Sequence, residues 1–374
     1  MASADVLLLP GTEDAAIWRY FASLAFPPEE QVRTVLRALA DAGRPLSTAA
    51  LEPLVDLRRT RLEMMLKVLD VDGAVRRVRG GWEATGATWR YDAERHRRVA
   101  EARAAEQAAM REYAGTVDCR MRFLRRCLDD PEPDATQQCG RCDRCAGPWF
   151  AGEVSAPALD AARAFLGRAG VPVVPRRMWP TGLPAVGVPL SGKIPSGEQP
   201  ETGRAVGRLS DLGWGARLRA MLGADAGGPA SVPEEVLAAV VEVLRAWAHG
   251  DDPWPARPVG VVTVVSRQRP EVVDGVAARI AEVGRLPLLG AVERTAGAPA
   301  GGAGSRANSA QRVRELYDTF RVPGPLAAGL AGLGGPVLLV DDLVDTGWTM
   351  ALVVRELRRA GAPAVLPLAI ALAG

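Results

Sequence analysis

The chain has 374 residues, of which 46 are lysine or arginine and 44 are aspartate or glutamate, so its formal net charge is +2. This length predicts about two to four domains, each able to bury a core. The near-neutral balance says little about partners. No apolar run is long enough to cross a bilayer, and no secretory leader pattern opens the chain, which predicts a cytoplasmic protein without a membrane partner.

Two segments are predicted before residue 92. Residues 1–26 are expected to form a short strand at 6–9 and one helix, which is too little for a core. This segment is therefore interpreted as the trailing edge of a domain that would lie upstream. Residues 27–91 have the pattern of a winged helix, with three short amphipathic helices followed by a β-hairpin.

Local signals support the winged-helix pattern. Ser47 is the expected N-cap of the second helix. The third helix is expected to turn four apolar residues inward: Leu62, Met65, Leu66 and Leu69. The hairpin is expected to turn at Arg79-Gly80-Gly81, where glycines suit a tight connection.

The middle of the chain is basic, because residues 58–126 carry 17 Arg or Lys against 10 Asp or Glu. Such a surface predicts salt-dependent, mostly sequence-independent contact with DNA phosphates. The alternative is a solvated helix face with i,i+4 ion pairs such as Glu94 with Arg98. The candidate DNA-binding residues are Arg58, Arg59, Arg61, Lys67, Arg76, Arg77 and Arg79.

Four of the five cysteines fall close together in the sequence. Cys139, Cys142 and Cys145 have the spacing C-x2-C-x2-C, and Cys119 precedes them on a predicted helix over 117–128. Thiolates at this spacing suit a tetrahedral Zn²⁺ site or, less often, an iron–sulfur cluster. The alternative is a group of incidental buried thiols. Cys127 lies outside the spacing and is interpreted as a free thiol on a helix.

Three features between residues 92 and 146 occur together: a long polar helix, the run Cys-Arg-Met-Arg-Phe-Leu from Cys119, and the loop Cys-Gly-Arg-Cys-Asp-Arg-Cys from Cys139. Together they resemble the zinc-binding subdomain of RecQ-family DNA helicases. The resemblance implies that the four clustered cysteines hold a structural zinc beside the second motor lobe. It also makes residues 1–26 similar to the end of that lobe.

The chain departs from the RecQ pattern in two ways. It has no G-x-x-x-x-G-K-[ST] motif, since the nearest string, residues 187–194, lacks the hydroxyl after its lysine. ATP would therefore bind only in a motor outside this chain. The predicted winged helix also precedes the zinc module, whereas the family usually places it afterwards.

Residues 151–231 are interpreted as a linker and a hood-like segment, in which 171–179 and 186–194 could form paired strands. From residue 232 to 374, strands and helices alternate, which predicts a parallel sheet flanked by helices. A Gly/Ala-rich stretch at 295–308 is expected to be mobile.

A second motif lies in the C-terminal part. The apolar run at 337–340 ends at Asp341 and Asp342, and a small polar loop then opens a helix predicted from Met350. Carboxylates at the carboxyl end of a parallel strand face the ligand crevice, and free N–H groups at the helix start can hold an anion. The carboxylates suit ribose hydroxyls, directly or through Mg²⁺.

This run resembles the phosphoribosyl-pyrophosphate signature of type I phosphoribosyltransferases. The resemblance implies that Asp341 and Asp342 contact the ribose hydroxyls, and that the general base of purine-type members is matched by Asp345. The 5′-phosphate loop would be formed by Asp345, Thr346, Gly347 and Thr349.

Other parts of this family pattern are also found. The position of the family's pyrophosphate loop is taken by residues 266–269, with Ser266 and Arg267 as the candidate ligands, although the customary glycine is missing. A flexible catalytic loop would cover 306–321, and residues 309–312 resemble that loop of competence-type members. Trp348 stands where the phosphate loop usually has a small or cationic residue.

The sequence thus predicts a multidomain α+β and α/β protein. The domains would be residues 1–26 as motor edge, 27–91 as winged helix, 92–150 as helical-hairpin zinc module, 151–231 as linker and hood, and 232–374 as a parallel-sheet phosphoribosyltransferase-like domain. The expected function is that of a DNA-binding accessory module of a RecQ-like DNA helicase in the bacterial nucleoid, acting with an upstream motor.

Two alternatives remain open. One is an active Mg²⁺-dependent phosphoribosyltransferase that acts on a nucleobase-type acceptor and binds a phosphorylated ribose. The other is a purely structural scaffold.

Overall fold

A computed structural model describes residues 6–11, 13–23, 26–130, 138–148, 150, 152–222, 231–295 and 308–373. The chain forms two units, one made of Met1–Pro45 and Thr60–Leu159 and the other of Leu46–Arg59 and Asp160–Gly374. The predicted mixed α/β class is confirmed. Within these described ranges, no helix is both long and apolar enough to cross a membrane.

The helices, in chain order, are α1 Asp14–Ser23, α2 Glu29–Ala42, α3 Thr48–Leu51, α4 Arg59–Val71, α5 Ala93–Gly115, α6 Arg120–Cys127, α7 Ala156–Leu166, α8 Gly215–Leu222, α9 Glu234–His249, α10 Pro270–Gly284, α11 Ser309–Leu316, α12 Gly324–Leu330 and α13 Trp348–Arg359. The strands are β1 Val75–Val78, β2 Gly81–Ala84, β3 Val171–Val173, β4 Gly203–Arg208, β5 Gly260–Val264, β6 Leu288–Arg294, β7 Phe320–Arg321, β8 Val337–Val344 and β9 Val365–Leu372. Short 3-10 turns cover Glu52–Leu54, Leu183–Val186 and Ser196–Glu198.

In the first unit, helical periodicity predicts the buried faces correctly. The inner face of α4 consists of Leu62, Met65, Leu66 and Leu69, all fully buried. Strands β1 and β2 pair antiparallel, and Gly80 adopts a φ of 99° in their turn, a value that a side chain would strain. The strand expected at residues 6–9 does not form. The side chains of residues 6–9 are exposed, and their backbone pairs with no strand among the described residues.

The second unit is built on a seven-stranded sheet with the order β3-β4-β9-β8-β5-β6-β7. The five inner strands run parallel, and β3 and β7 pair antiparallel at the edges. Helices α11, α12 and α13 contribute to the core on one face of the sheet, and α8, α9 and α10 to the core on the other. Strand β8 therefore lies inside a three-layer sandwich, with its carboxyl end at one edge.

The segment between α7 and β5 differs from the prediction. The expected pairing of 171–179 with 186–194 is reduced to β3, which pairs with β4, and a single bridge between Met178 and Lys193. Strand β4 was not predicted, because it follows a stretch dense in proline and glycine. Its Gly203 is needed for close packing, since a Cβ there would lie 2.4 Å from the carbonyl oxygen of Pro367. Residues 296–307, most of the stretch expected to be mobile, lie outside the described residues.

The second unit also includes the piece 46–59, which is joined to α11 by side-chain hydrogen bonds. The buried Asn308 caps α11 by accepting from the N–H of Gln311 at 2.9 Å. Its amide nitrogen donates to the carbonyl oxygens of Glu52 and Val55, the latter at 2.6 Å. The side chain of Gln311 donates to the carbonyl oxygen of Pro53. Carbonyl groups at the end of a helical turn have no partner within the turn and would otherwise bond to water. Here the side chains of Asn308 and Gln311 serve as their donors.

Candidate functional site

The four clustered cysteines meet in the first unit. The sulfur atoms of Cys119, Cys139, Cys142 and Cys145 all lie within 4.8 Å of one another. Zinc–sulfur bonds of about 2.3 Å place the ligands of a tetrahedral site about 3.8 Å apart, so four thiolates here fit the ion with little movement. Cys127 is exposed at the end of α6. The four cysteines therefore come together as predicted, in a cluster that could hold a metal ion.

Cys119 occupies the N-cap of α6, because the helix begins at Arg120 and not at 117 as predicted. Burial alone would raise the pKa of this thiol, yet backbone N–H groups of Arg122 and Cys139 donate to its sulfur and the pKa falls to about 6. The pKa of Cys142 is also lowered, against its burial, by backbone N–H groups that include that of Arg120. Burial and the neighbouring sulfurs raise the pKa of Cys145 to about 11. A bound cation would favour the thiolate form of such neighbouring sulfurs, because it offsets the repulsion between their negative charges.

Arg120 connects the cysteine loop to both helices of the module. Its Nε and Nη2 atoms donate to the two carboxylate oxygens of Asp143 at 2.9 and 3.0 Å. Its Nη1 atom donates to the carbonyl oxygen of Tyr113 near the end of α5, and its guanidinium lies 5.1 Å from the Tyr113 ring centroid. This bidentate pair orients the loop that carries three of the ligands.

Replacing Arg120 with alanine is expected to lower zinc affinity by about tenfold or more, because residues that orient metal ligands contribute in this range. Competition with a chromogenic chelator measures the change. Arg141→Ala is the matched control, since Arg141 is exposed on the same loop. Equal affinities for Arg120→Ala and the control would contradict an orienting role for Arg120.

The second candidate site lies at the carboxyl end of β8. Asp341 is buried, and its burial together with the charge of Asp342 raises its pKa well above the usual range. Asp342 accepts from the hydroxyl of Ser266 at 3.0 Å and from Nη1 of Arg269 at 3.3 Å. Ser266, which follows β5 and was predicted as a ligand, thus lies beside the acidic pair of β8.

Arg269 is the arginine of the 266–269 loop that contacts the acidic pair, through Asp342. Its guanidinium is buried, and its Nη2 atom donates to the carbonyl oxygen of Leu222 at 2.8 Å. Its backbone N–H donates to the hydroxyl of Ser266 at 3.1 Å, which holds the loop at the start of α10. Arg267, the arginine chosen from the sequence, is exposed instead. Arg269 could have been selected from the sequence, because it directly precedes Pro270, the first residue of α10.

Further arginines gather at this edge of the sheet. The pKa of Arg294, at the end of β6, is lowered by burial and by the positive charges of Arg267 and Arg312. These residues come from three elements, since Arg312 lies on α11 and Arg267 follows β5. The lowered pKa of Arg294 indicates that the local field is positive, which favours an anion. Arg312 belongs to the 309–312 run that resembles the competence-type loop, whereas no motif in the sequence pointed to Arg294.

The predicted phosphate loop connects β8 to α13. Strand β8 continues to Val344, so Asp345 is exposed just after it, and α13 begins at Trp348, two residues earlier than predicted. Gly347 is the N-cap with a φ of 77°. Thr346 and Thr349 flank it and are half-buried.

Trp348 is buried in the core beneath this loop. Its ring stacks on that of Trp179 in the hood-like segment, with centroids 6.0 Å apart. The guanidinium of Arg176 lies 5.1 Å from the Trp348 ring centroid. The hood-like segment thus packs on the loop.

The candidate DNA-binding residues lie mostly on the surface. In the hairpin, Arg76 pairs with Glu83 at 2.5 Å, and the guanidinium of Arg77 lies 5.7 Å from the Trp82 ring centroid. Arg79, at the turn, is exposed and has no hydrogen bond or ion pair with another described residue. Lys67 is exposed on α4, Arg58 and Arg59 are exposed, and Arg61 is half-buried.

Comparison with protein-family models, curated proteins and solved structures gave no match.

Proposed function

We propose that this chain is a zinc-braced, DNA-binding accessory module of a RecQ-like DNA helicase. The observation that carries the proposal is the four-cysteine cluster at the start of α6, with Arg120 bonded to both the cysteine loop and the end of α5. Four thiolates leave no open coordination position, so the ion would have a structural role. Exposed arginines and Lys67 would contact phosphates, with the motor supplied from outside this chain.

The binding of duplex DNA should weaken steeply with salt, and Arg58→Ala/Arg59→Ala/Arg61→Ala should reduce the slope of log K against log salt by about 3. Fluorescence anisotropy with a labelled duplex at several salt concentrations measures this. The matched control is Arg163→Ala/Arg168→Ala/Arg314→Ala, which removes the same charge from exposed positions of the second unit. No duplex affinity at low salt, or equal slopes for the two triple variants, would count against the DNA-binding proposal.

A second function is favoured by the acidic pair at the end of β8. We propose that the second unit binds phosphoribosyl pyrophosphate with Mg²⁺ and transfers the phosphoribosyl group to a nucleobase-type acceptor. Carboxylate oxygens are preferred ligands of Mg²⁺, so Asp341 and Asp342 suit the ion or the ribose hydroxyls. When bound, Mg²⁺ would neutralise pyrophosphate charge. The arginines Arg267, Arg294 and Arg312 favour the same anion, and Asp345 is the candidate general base.

The raised pKa of Asp341 gives this proposal a pH dependence. Ligation of Mg²⁺ requires the carboxylate, so affinity for Mg²⁺–phosphoribosyl pyrophosphate should increase as pH rises through the pKa of Asp341, with release of a proton. Calorimetry in two buffers of different ionisation enthalpy measures that proton. Asp341→Ala should abolish binding. Undetectable heat from the wild type, with any nucleobase present, would contradict the transferase proposal.

The free energy of unfolding should depend on the same carboxyl group, but it should fall as pH rises, whereas the affinity for the ligand increases. Because its pKa is higher in the folded than in the unfolded chain, the folded state holds the proton more tightly. The stabilisation from Asp341 is fully present at low pH and is lost as pH rises through the folded-state pKa.

A further inference from the structure

We propose that Arg176, from the hood-like segment, supplies the cation that binds a phosphomonoester at the 345–349 loop. This inference rests on the proposed phosphoribosyl-pyrophosphate site and adds a residue from outside the sequence motif. Arg176 lies more than 160 residues before the loop, as the hydrogen bond between Arg176 and Thr346 spans 170 positions of the chain.

Two contacts hold the Arg176 side chain against the loop. Its Nε atom donates to the carbonyl oxygen of Thr346 at 2.8 Å. Its guanidinium lies over the Trp348 ring, with 5.1 Å between the guanidinium carbon and the ring centroid. The side chain also approaches Gly347, where an added Cβ would lie 3.7 Å from Nε. These contacts use one N–H and one face of the guanidinium.

The remaining donors of Arg176 are available to a ligand. Its Nη1 and Nη2 atoms have no hydrogen-bond partner in the part of the chain that the structure describes, and the residue is exposed. They lie beside the N-terminus of α13, a helix of 12 residues whose first N–H groups point toward the loop. A guanidinium with two free N–H groups binds phosphate oxygens in a bidentate manner, and a helix N-terminus adds to the attraction.

Trp348 explains why the cation comes from another segment. An indole at this position carries no positive charge for an anion, but its face attracts a guanidinium. The stack of Trp179 on Trp348 fixes that face, and the backbone N–H of Trp179 donates to the carbonyl oxygen of Gly192 at 2.8 Å. Trp348 therefore stands in place of a cationic residue of the loop, and its ring positions Arg176, which supplies the charge.

The ligand is a sugar 5-phosphate, either free or as phosphoribosyl pyrophosphate. Calorimetry with ribose 5-phosphate should show affinity about tenfold or more weaker for Arg176→Ala than for the wild type, since charge-assisted bonds to phosphate are lost. Arg176→Lys should restore only part of the affinity, because lysine lacks the planar face and paired donors. Arg177→Ala is the control: Arg177 is adjacent and exposed, and it donates to the side chain of Gln199.

Binding of pyrophosphate alone shows whether Arg176→Ala removes one phosphate contact or disturbs the whole site. Its affinity should be the same in the wild type and in Arg176→Ala, because it would bind near Arg267, Arg294 and Arg312. Equal ribose 5-phosphate affinity in the wild type and Arg176→Ala would overturn this inference and leave the transferase proposal standing, as would equal losses for both ligands. A wild type that binds neither ribose 5-phosphate nor Mg²⁺–phosphoribosyl pyrophosphate would overturn both.

Discussion

Replacing Cys142 with serine is expected to remove the metal from the first unit and to unfold the α5–α6 hairpin. The reason is the small apolar contribution of these helices: α5 has no buried residue over its 23 positions, and α6 buries only Phe123. Burying one aromatic side chain contributes about 2–3 kcal/mol, which is too little to order two helices. Under the proposal of a structural zinc, metal ligation supplies the rest, since such sites contribute about 10–16 kcal/mol.

Two measurements test this expectation. After dialysis against a mild chelator, elemental analysis should find about one zinc per wild-type chain and about none in Cys142→Ser. Hydrogen exchange should then be fast throughout residues 93–127 of the variant. Cys127→Ser is the matched control, since its sulfur is exposed and lies outside the cluster. Protected amides in metal-free Cys142→Ser would show that packing alone holds the hairpin.

The second large effect is expected at the acidic pair, where two adjacent aspartates should respond differently to loss of charge. Asp342→Asn leaves the buried guanidinium of Arg269 without its carboxylate, and breaking a buried ion pair from one side costs about 3–5 kcal/mol. Asp341→Asn replaces a carboxyl group whose raised pKa favours the neutral form, so the second unit should lose less than about 1 kcal/mol.

Urea unfolding, followed by tryptophan fluorescence, measures both free energies. The double variant Asp342→Asn/Arg269→Met should recover part of the loss, because it removes the unpaired charge as well. Equal destabilisation by the two single variants would contradict the ion-pair assignment.

Local signals in the sequence predicted the elements that depend on neighbouring residues. Ser47 does cap its helix by accepting from the N–H of Ala50, and the four apolar residues of α4 are buried as their spacing indicates. The cysteine cluster was also predictable, because three of its ligands lie on one short loop. In each case the residues that determine the structure lie close together in the sequence.

Contacts between distant parts of the chain were not predictable in the same way. The ion pair of Arg269 with Asp342 spans 73 positions, and the grouping of Arg294 with Arg267 and Arg312 depends on strand order in the sheet. Strand β4 was missed because its pairing with β9, and not its composition, makes it a strand. The position of Cys119 at a helix cap depended on a boundary, which periodicity fixes only to within a few residues.

The hydrogen bonds from Asn308 to the 46–59 piece determine how this protein can be divided. A fragment that starts at residue 160 would lack the carbonyl acceptors of Glu52 and Val55, to which the amide of Asn308 donates. Each of these hydrogen bonds, once exchanged for one to water, costs about 0.5–1.5 kcal/mol. Along the chain, residues 60–159 stand as an insertion between two parts of one folding unit. A single cut therefore cannot separate the two units, because the second unit is formed by two separate parts of the chain.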